Sequence, residues 1–289
     1  MPDLSVIVPA YNEEPGIAEM LDELDTVLGS APEIEAYEII VVDDGSTDQT
    51  AAAVRSLTEE RDTVRLLARD RNRGYGSAVK HGIRHAAHPL LAIVDGDGSY
   101  PVERLPELVR QADDAEMVVA ARDPAVAQPL NRRLAKWTLT RLASYLAETA
   151  IPDLNSGMRL FHRHAVERYL HLLPPRFSLT TTLTLAMLCD ELTVRYLPVE
   201  LRPRTGRSKI RPVRDTLSFL LLIATTVTYF RPLKVLVPLA AALFFAGLVK
   251  GAVDVAAEAN LKTSDLLLLI AGIQVFALAL IADLVSKRR

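Results

Sequence analysis

Apolar and polar positions follow two different rhythms along this chain. Up to about Leu201, short β-branched runs alternate with amphipathic stretches. Leu4–Val8, Tyr37–Val42, Val64–Ala68, Leu90–Val94 and Met117–Ala121 predict buried strands, since short continuous apolar runs suit a sheet covered on both faces. Glu14–Leu28, Thr50–Glu60, Tyr75–Ala87 and Pro101–Asp113 lie between them and carry apolar residues at helical spacing. Strand and helix in alternation predict an α/β fold, a mostly parallel sheet with helices on both faces. Ligands of such sheets bind in the crevice beyond the carboxyl ends of the strands.

The second rhythm begins at Arg202. Arg202–Arg214 carries six cationic side chains and no acidic one. Thr216–Phe230 is apolar and about one interfacial helix long, with a third span as the alternative. Leu233–Val249 and Leu266–Ala282 are each 17 mostly uncharged residues, near the lower limit for a bilayer span. Lys250 and Asp254 fall at the far end of the first span, and the connecting loop, with Asp254, Glu258, Lys262 and Asp265, is net acidic. Arg231 and Lys234 stand before the first span and Lys287, Arg288 and Arg289 after the second. Cationic flanks favour the cytoplasm, so both termini are expected there with a short hairpin loop outside. The competing reading is two buried core helices of a soluble domain. The expected organisation is an α/β domain over 1–201, a basic segment and juxtamembrane helix over 202–232, and a two-helix hairpin over 233–289.

Composition narrows the classes. In 289 residues, 49% are hydrophobic, which excludes disorder, and the net charge of −3 argues against a nucleic-acid partner. The lone Cys189 excludes a disulfide framework and a cysteine-based zinc site. No basic stretch followed by a long apolar run comes after Met1, so the first domain is expected in the cytoplasm.

The strand ends deliver the chemistry. They read Val8-Pro9-Ala10-Tyr11-Asn12-Glu13-Glu14, then Val42-Asp43-Asp44-Gly45-Ser46-Thr47-Asp48, then Val94-Asp95-Gly96-Asp97-Gly98-Ser99. Turn and cap chemistry accounts for any one of them; three acidic ends on one sheet edge point to a ligand. Asp95 and Asp97, spaced i, i+2 around a glycine, can hold a hard divalent cation that completes its shell from phosphate oxygens. A calcium EF-hand is excluded, because the sixth position from Asp95 is Tyr100 and the twelfth is Pro106. Arg71-Asn-Arg-Gly-Tyr-Gly-Ser-Ala78 opens a helix but is neither a Walker A loop nor a full dinucleotide fingerprint. It serves either close packing or the approach of a nucleoside diphosphate.

Together these motifs resemble family 2 glycosyltransferases of the GT-A fold. Asn155-Ser-Gly-Met-Arg-Leu-Phe161 and Arg204-Thr-Gly-Arg-Ser-Lys209 resemble the polyprenyl-phosphate branch, which includes dolichol-phosphate mannose synthases and undecaprenyl-phosphate glycosyltransferases. The resemblance implies a nucleotide-sugar pocket lined by Pro9, Tyr11, Glu13, Asp44, Gly74, Asp95 and Gly96, with Asp43 nearby. It implies Mg2+ or Mn2+ on Asp95 and Asp97, with Ser99 where mannose synthases often carry glutamine. It also implies acceptor-phosphate contacts from Arg122, from Arg132 or Arg133 in an acceptor loop over Leu130–Lys136, and from Arg204 with Ser208 and Lys209 beside it. The implied partners are a UDP- or GDP-linked sugar, a polyprenyl phosphate and the membrane, and a homo-oligomer suits a hairpin that buries little alone. The basic segment also fits an anionic-lipid anchor, with Arg211 and Arg214 toward headgroups.

Many inverting enzymes of this fold place an acidic base where this chain reads Phe177-Ser-Leu-Thr-Thr-Thr182. A phosphate acceptor needs none, because a phosphate monoester with a second pKa of about 6 is already largely dianionic. Asp190-Glu191 reads as a solvated helix end. Asp153 either orients acceptor or sugar, beside Asp97 and Arg122 in the chemistry, or caps a turn after Pro152. A processive polysaccharide synthase would add a Gln-x-x-Arg-Trp element and further spans; a soluble nucleotidyltransferase would leave the hairpin unexplained.

Overall fold

The structure is a computed structural model that describes residues 1–122, 140–145, 147–175, 178–202, 212–258 and 260–287, the side chains of 212–220 and 258 excepted. Seven strands form one sheet: β1 (Leu4–Ala10), β2 (Tyr37–Asp43), β3 (Val64–Ala68), β4 (Leu90–Ile93), β5 (Met117–Arg122), β6 (Arg159–His162) and β7 (Val194–Val199). Their order is β3-β2-β1-β4-β6-β5-β7, and all pair in parallel except β6, which runs antiparallel to both β4 and β5. All seven residues of β1 are buried, as expected of a central strand covered on both sides.

Helices α1 (Ile17–Ser30), α2 (Thr50–Glu60) and α4 (Leu105–Arg110) cover one face of the sheet, burying Ile17, Leu21, Leu24 and Leu28 of α1 at helical spacing. The other face receives α3 (Tyr75–His85), α5 (Arg163–Glu167) and α6 (Leu179–Cys189). The helix expected over 101–113 is broken: two 3-10 turns, Val102–Arg104 and Ala112–Asp114, flank a six-residue α4. Pro106 lacks an N–H and restrains the residue before it, so the α-helix starts there instead of running through. Because the chain moves from β1 outward to β2 and β3 and then returns to β4 on the other side of β1, the order reverses between β1 and β4. A crevice opens at such a reversal, beyond the strands' carboxyl ends.

Beyond the sheet, α7 (Pro212–Phe230) begins earlier than the apolar pattern suggested, with Pro212 at its first turn. Its Ile223 and Val227 are buried against Leu185, Leu188 and Cys189 of α6 and Ala143 and Ala147. Helices α8 (Pro232–Glu258) and α9 (Thr263–Ser286) pack on each other as a hairpin. Both are long and apolar enough to cross a membrane, with mean hydropathies of 2.0 and 2.4, and only 17% and 11% of their apolar windows are buried. A core helix hides its apolar surface, and these two leave most of theirs exposed. At the tip, Lys250 bonds Asp254 at 2.8 Å and Asp265 at 2.5 Å, so the charges at the far end of the first span are neutralised within the hairpin.

Candidate functional site

An open cleft lies at the carboxyl ends of β1, β2 and β4. Pro9, Tyr11, Glu13, Asp44, Gly74, Asp95, Gly96 and Asp97 line it, together with Asn72 and Tyr75. The motifs that pointed to a ligand are thus brought to one place.

Hydrogen bonds between loops build its walls. The loop after β1 is tied to the loop after β2, with Asn12 N–H donating to Ser46 Oγ at 2.9 Å and Thr47 N–H to Asn12 Oδ1 at 2.8 Å. Glu13 N–H donates to Thr50 Oγ1 at 2.9 Å, at the start of α2. Gly45 has φ +74°, and a Cβ there would stand 2.6 Å from the Arg71 backbone, so only glycine lets these two loops meet.

Asp44 is buried and its carboxylate is engaged throughout. Arg69 Nη1 donates to it at 3.0 Å, Arg73 N–H reaches both oxygens at 3.1 Å, and Gly74 N–H donates at 2.7 Å. It therefore shapes the cleft by stapling the 71–74 loop in place. Asp43, expected near the nucleotide pocket, is the last residue of β2. It is absent from the lining, and its buried carboxylate accepts the hydroxyl and N–H of Ser46. Asp43 closes β2 and Asp44 opens the loop after it, and the two carboxylates take different partners.

Asp95 and Asp97 stand on the loop after β4. Asp97 Oδ1 accepts Ser99 N–H at 3.1 Å and Ser99 Oγ–H at 2.6 Å, so Ser99 orients Asp97. Tyr75, the first residue of α3, has its hydroxyl pKa raised well above the ordinary value, first by burial and then by the Asp95 charge. Among the described residues no group of three or more His, Cys, Asp or Glu could cage a metal. Two carboxylates opening on a cleft instead fit a hard cation that takes its remaining ligands from a bound diphosphate.

Arg122, the last residue of β5, grips Asp153 in a two-pronged pair, Nε to Oδ2 at 2.6 Å and Nη2 to Oδ1 at 2.7 Å. Nη2 also donates to Asn155 O at 3.1 Å, while Nη1 makes no hydrogen bond among the described residues. Burial opposes the guanidinium charge, but the bonds and charge of Asp153 outweigh it, and the pKa rises. Asn155 stands two residues before Gly157, which lies against the Asp95 carboxylate, so Arg122 and Asp95 flank one short segment. Asp153 is 1% exposed and also accepts Asn155 N–H at 3.2 Å. The bond from Asn155 N–H is a turn-capping contact, and the pair with Arg122 ties the same carboxylate to the end of β5.

Of the stretch 177–182, residues 178–182 are described, at the start of α6. Thr180 Oγ1 donates to Asn155 Oδ1 at 2.7 Å, and Asp190, at the end of α6, accepts the Tyr169 hydroxyl at 2.7 Å. Arg132, Arg133, Arg204, Ser208, Lys209 and Arg211 lie outside the described residues, as does the Arg214 side chain. The basic segment is entered at Arg202, whose N–H donates to Ser99 O at 2.9 Å and whose guanidinium pairs with Glu23 and Glu103 at 2.6 Å. Tyr100, Gly157 and Arg159 also belong to the site's frame; the last two lie within the Asn155–Phe161 motif, which carries no individual role for them in the sequence. Their contribution is a close approach of distant segments.

Comparison with known proteins places these features. Residues 5–170 match Glycosyl transferase family 2, and residues 231–287 match the GtrB C-terminal hairpin. Undecaprenyl-phosphate 4-deoxy-4-formamido-L-arabinose transferase of Klebsiella pneumoniae is 30% identical over 169 residues, 58% of this chain and 51% of that protein. The chain thus aligns with about half the length of this curated relative. Two solved structures of glucosyl-3-phosphoglycerate synthase from Mycobacterium tuberculosis share the fold. One, with Mn2+, UDP and phosphoglyceric acid, has a TM-score of 0.60 at 19% identity over 78% of each chain. The other, with Mn2+, UDP-glucose and phosphoglyceric acid, has a TM-score of 0.59 at 18% identity over 78% of this chain and 80% of that one. With the family match covering more than half of its length and the matched residues forming the cleft, the chain belongs to glycosyl transferase family 2.

Proposed function

We propose that the chain transfers a sugar from a nucleoside diphosphate sugar to a polyprenyl phosphate at the cytoplasmic face of a membrane, with inversion at the anomeric carbon. The observation that carries this reading is the 155–157 segment, which takes a hydrogen bond from Arg122 at Asn155 and lies against the cleft-lining Asp95 carboxylate at Gly157, bringing a guanidinium toward a carboxylate pair suited to a metal diphosphate. The undecaprenyl-phosphate relative and the exposed apolar hairpin supply the lipid side.

Pro9, Tyr11, Glu13, Asn72 and Gly74 line the space for the nucleotide. Asp95 and Asp97 would hold Mg2+ or Mn2+, which supplies charge neutralisation for the departing diphosphate. Arg122 presents Nη1 to the acceptor phosphate, with Nε and Nη2 anchored on Asp153. Guanidinium forks suit phosphate oxygens, and in this reading Arg132 or Arg133, Arg204, Ser208 and Lys209 complete the acceptor site. A dianionic phosphate oxygen forms the new bond to the anomeric carbon. The bond from that carbon to the β-phosphate oxygen breaks, and its electron pair leaves with the nucleoside diphosphate. No proton need be removed, in keeping with the absence of a carboxylate from Ser178–Cys189. Cationic flanks at both ends of the hairpin support the reading that both termini, with the sheet domain, face the cytoplasm.

The test uses the purified full chain with Mg2+ or Mn2+, undecaprenyl phosphate and a panel of UDP- and GDP-sugars, with lipid products read by mass. The expected result is one glycolipid, formed only with divalent metal and lost in Asp97→Ala. Absence of any glycolipid across the panel, or undiminished turnover in Asp97→Ala, overturns the reading.

A further inference from the structure

The chain that follows Asp153 runs against the end of β4. At Gly157, an added Cβ would stand 1.8 Å from Asp95 Oδ2 and 2.2 Å from Asp95 Cγ. The Asp95 carboxylate therefore fills the space that any side chain at 157 would require. Backbone conformation does not call for this glycine, since positive φ among the described glycines occurs at Gly45, Gly74 and Gly98. Its value is the room it leaves.

The segment cannot retreat to make that room elsewhere. Gly157 N–H donates to the Tyr100 hydroxyl at 2.7 Å, and Ser156 Oγ–H donates to Ala120 O at 2.5 Å. Arg159 is wholly buried and holds the same segment, donating Nη2 to Ser156 O at 2.7 Å and Nη1 to Thr180 O and Thr184 Oγ1 at 3.0 Å. Stranding a buried guanidinium is costly, so these acceptors fix the segment firmly. Tyr100 is itself buried and follows Asp97 on the same loop by three residues. Burial pushes its hydroxyl up to about 12, so it stays neutral at physiological pH.

We infer that Gly157 and Tyr100 are positioning residues for the cation pair: Gly157 leaves the space that the Asp95 carboxylate occupies, and Tyr100 ties Gly157 to the loop that carries Asp97. The inference rests on the reading of Asp95 and Asp97 as cation ligands. Neither residue touches substrate; both act through Asp95.

The test measures Mn2+ binding to the full chain in detergent, from loss of the free-ion paramagnetic resonance signal, with UDP and GDP run in parallel. Gly157→Ala is expected to weaken Mn2+ binding by about tenfold or more, the usual scale for groups that orient ligands. Metal-free nucleotide binding should stay at the wild-type level, which a general loss of structure would not allow. Tyr100→Phe keeps the ring and removes only the hydroxyl, so a smaller loss of Mn2+ affinity is expected, with unchanged circular dichroism. Wild-type Mn2+ affinity in Gly157→Ala overturns the inference; if that variant does not fold, wild-type affinity in Tyr100→Phe does so. Asp97→Ala separates the two levels. Should it bind Mn2+ as the wild type does, the cation-pair reading fails; should it lose Mn2+ while Gly157→Ala keeps it, only the positioning role fails.

Discussion

Replacing Asp153 by asparagine isolates what holds Arg122 in place. The carboxylate is 1% exposed and receives Nε at 2.6 Å, Nη2 at 2.7 Å, and the N–H groups of Arg122 and Asn155 at 3.2 Å. Asparagine preserves the shape but removes the charge and turns one acceptor oxygen into a donor facing a donor. Breaking a buried pair by removing one partner costs about 3–5 kcal/mol. The Arg122 side chain is 28% exposed, so water recovers part of its solvation and about 2–3 kcal/mol is expected. For a chain of this size about 2–4 °C of Tm accompanies each kcal/mol, which gives a fall of about 4–12 °C. A guanidinium freed from its fork also binds phosphate less well, so the KM for polyprenyl phosphate should rise about tenfold, or ~1.4 kcal/mol. The nucleotide-sugar KM should stay near its wild-type value. Thermal unfolding followed by tryptophan fluorescence and steady-state kinetics read the two effects. An unchanged Tm together with an unchanged acceptor KM would refute the reasoning.

Other perturbations probe the frame around the site. Cys189 is buried between α6 and α7, and burial pushes its thiol up to about 11, so a thiol reagent near neutral pH should label it only after denaturation; rapid labelling of the native chain would contradict that packing. Burial alone would raise the Glu38 carboxyl, but hydrogen bonds from Ala87 N–H, the Ser5 hydroxyl and Arg65 outweigh it and hold it below 4.5. Its contribution to stability is therefore complete above pH 4.5 and is lost as the pH falls through the lower folded value. Glu38→Gln should lower Tm at neutral pH and flatten its acid dependence, and parallel curves for the two proteins would count against this. At Gly272 a Cβ would meet Phe244 N at 2.9 Å and Ala240 O at 3.0 Å, so Gly272→Val should part α8 from α9 and lower the Tm in detergent. A wild-type melting curve would show that the helices do not pack this closely.

Much of this was legible in the chain itself, for physical reasons. β3 and α2 fall on the expected residues, Val64–Ala68 and Thr50–Glu60, because continuous apolar runs and helical spacing report directly on burial. The converging strand ends were visible because polar residues at such ends resist burial unless a ligand or turn uses them. β6 went unread: four residues are too few for a periodic signal, and it opens with Arg159, a residue type seldom buried. Its acceptors, Thr180 and Thr184, come from a helix more than twenty positions away. Asp43 and Asp44 are chemically alike in sequence, and only the partners they meet in the fold, Ser46 for the first and Arg69 with Gly74 N–H for the second, tell them apart. The partner of Asp153 was likewise hidden, since a pair spanning 31 positions leaves no local spacing to recognise. The Gly157–Asp95 approach is a vacancy in shape, which composition does not record.

The central claim is that one sugar carbon passes from a nucleoside diphosphate to a lipid phosphate between Asp95/Asp97 and Arg122. Its most direct measurement is nuclear magnetic resonance of the glycolipid formed from a donor labelled with carbon-13 at the anomeric position. The account predicts that the labelled carbon couples to the lipid phosphorus through one bridging oxygen and has the anomeric configuration opposite to the donor's. A labelled carbon uncoupled from the lipid phosphorus, or retention of the donor's configuration, would contradict it.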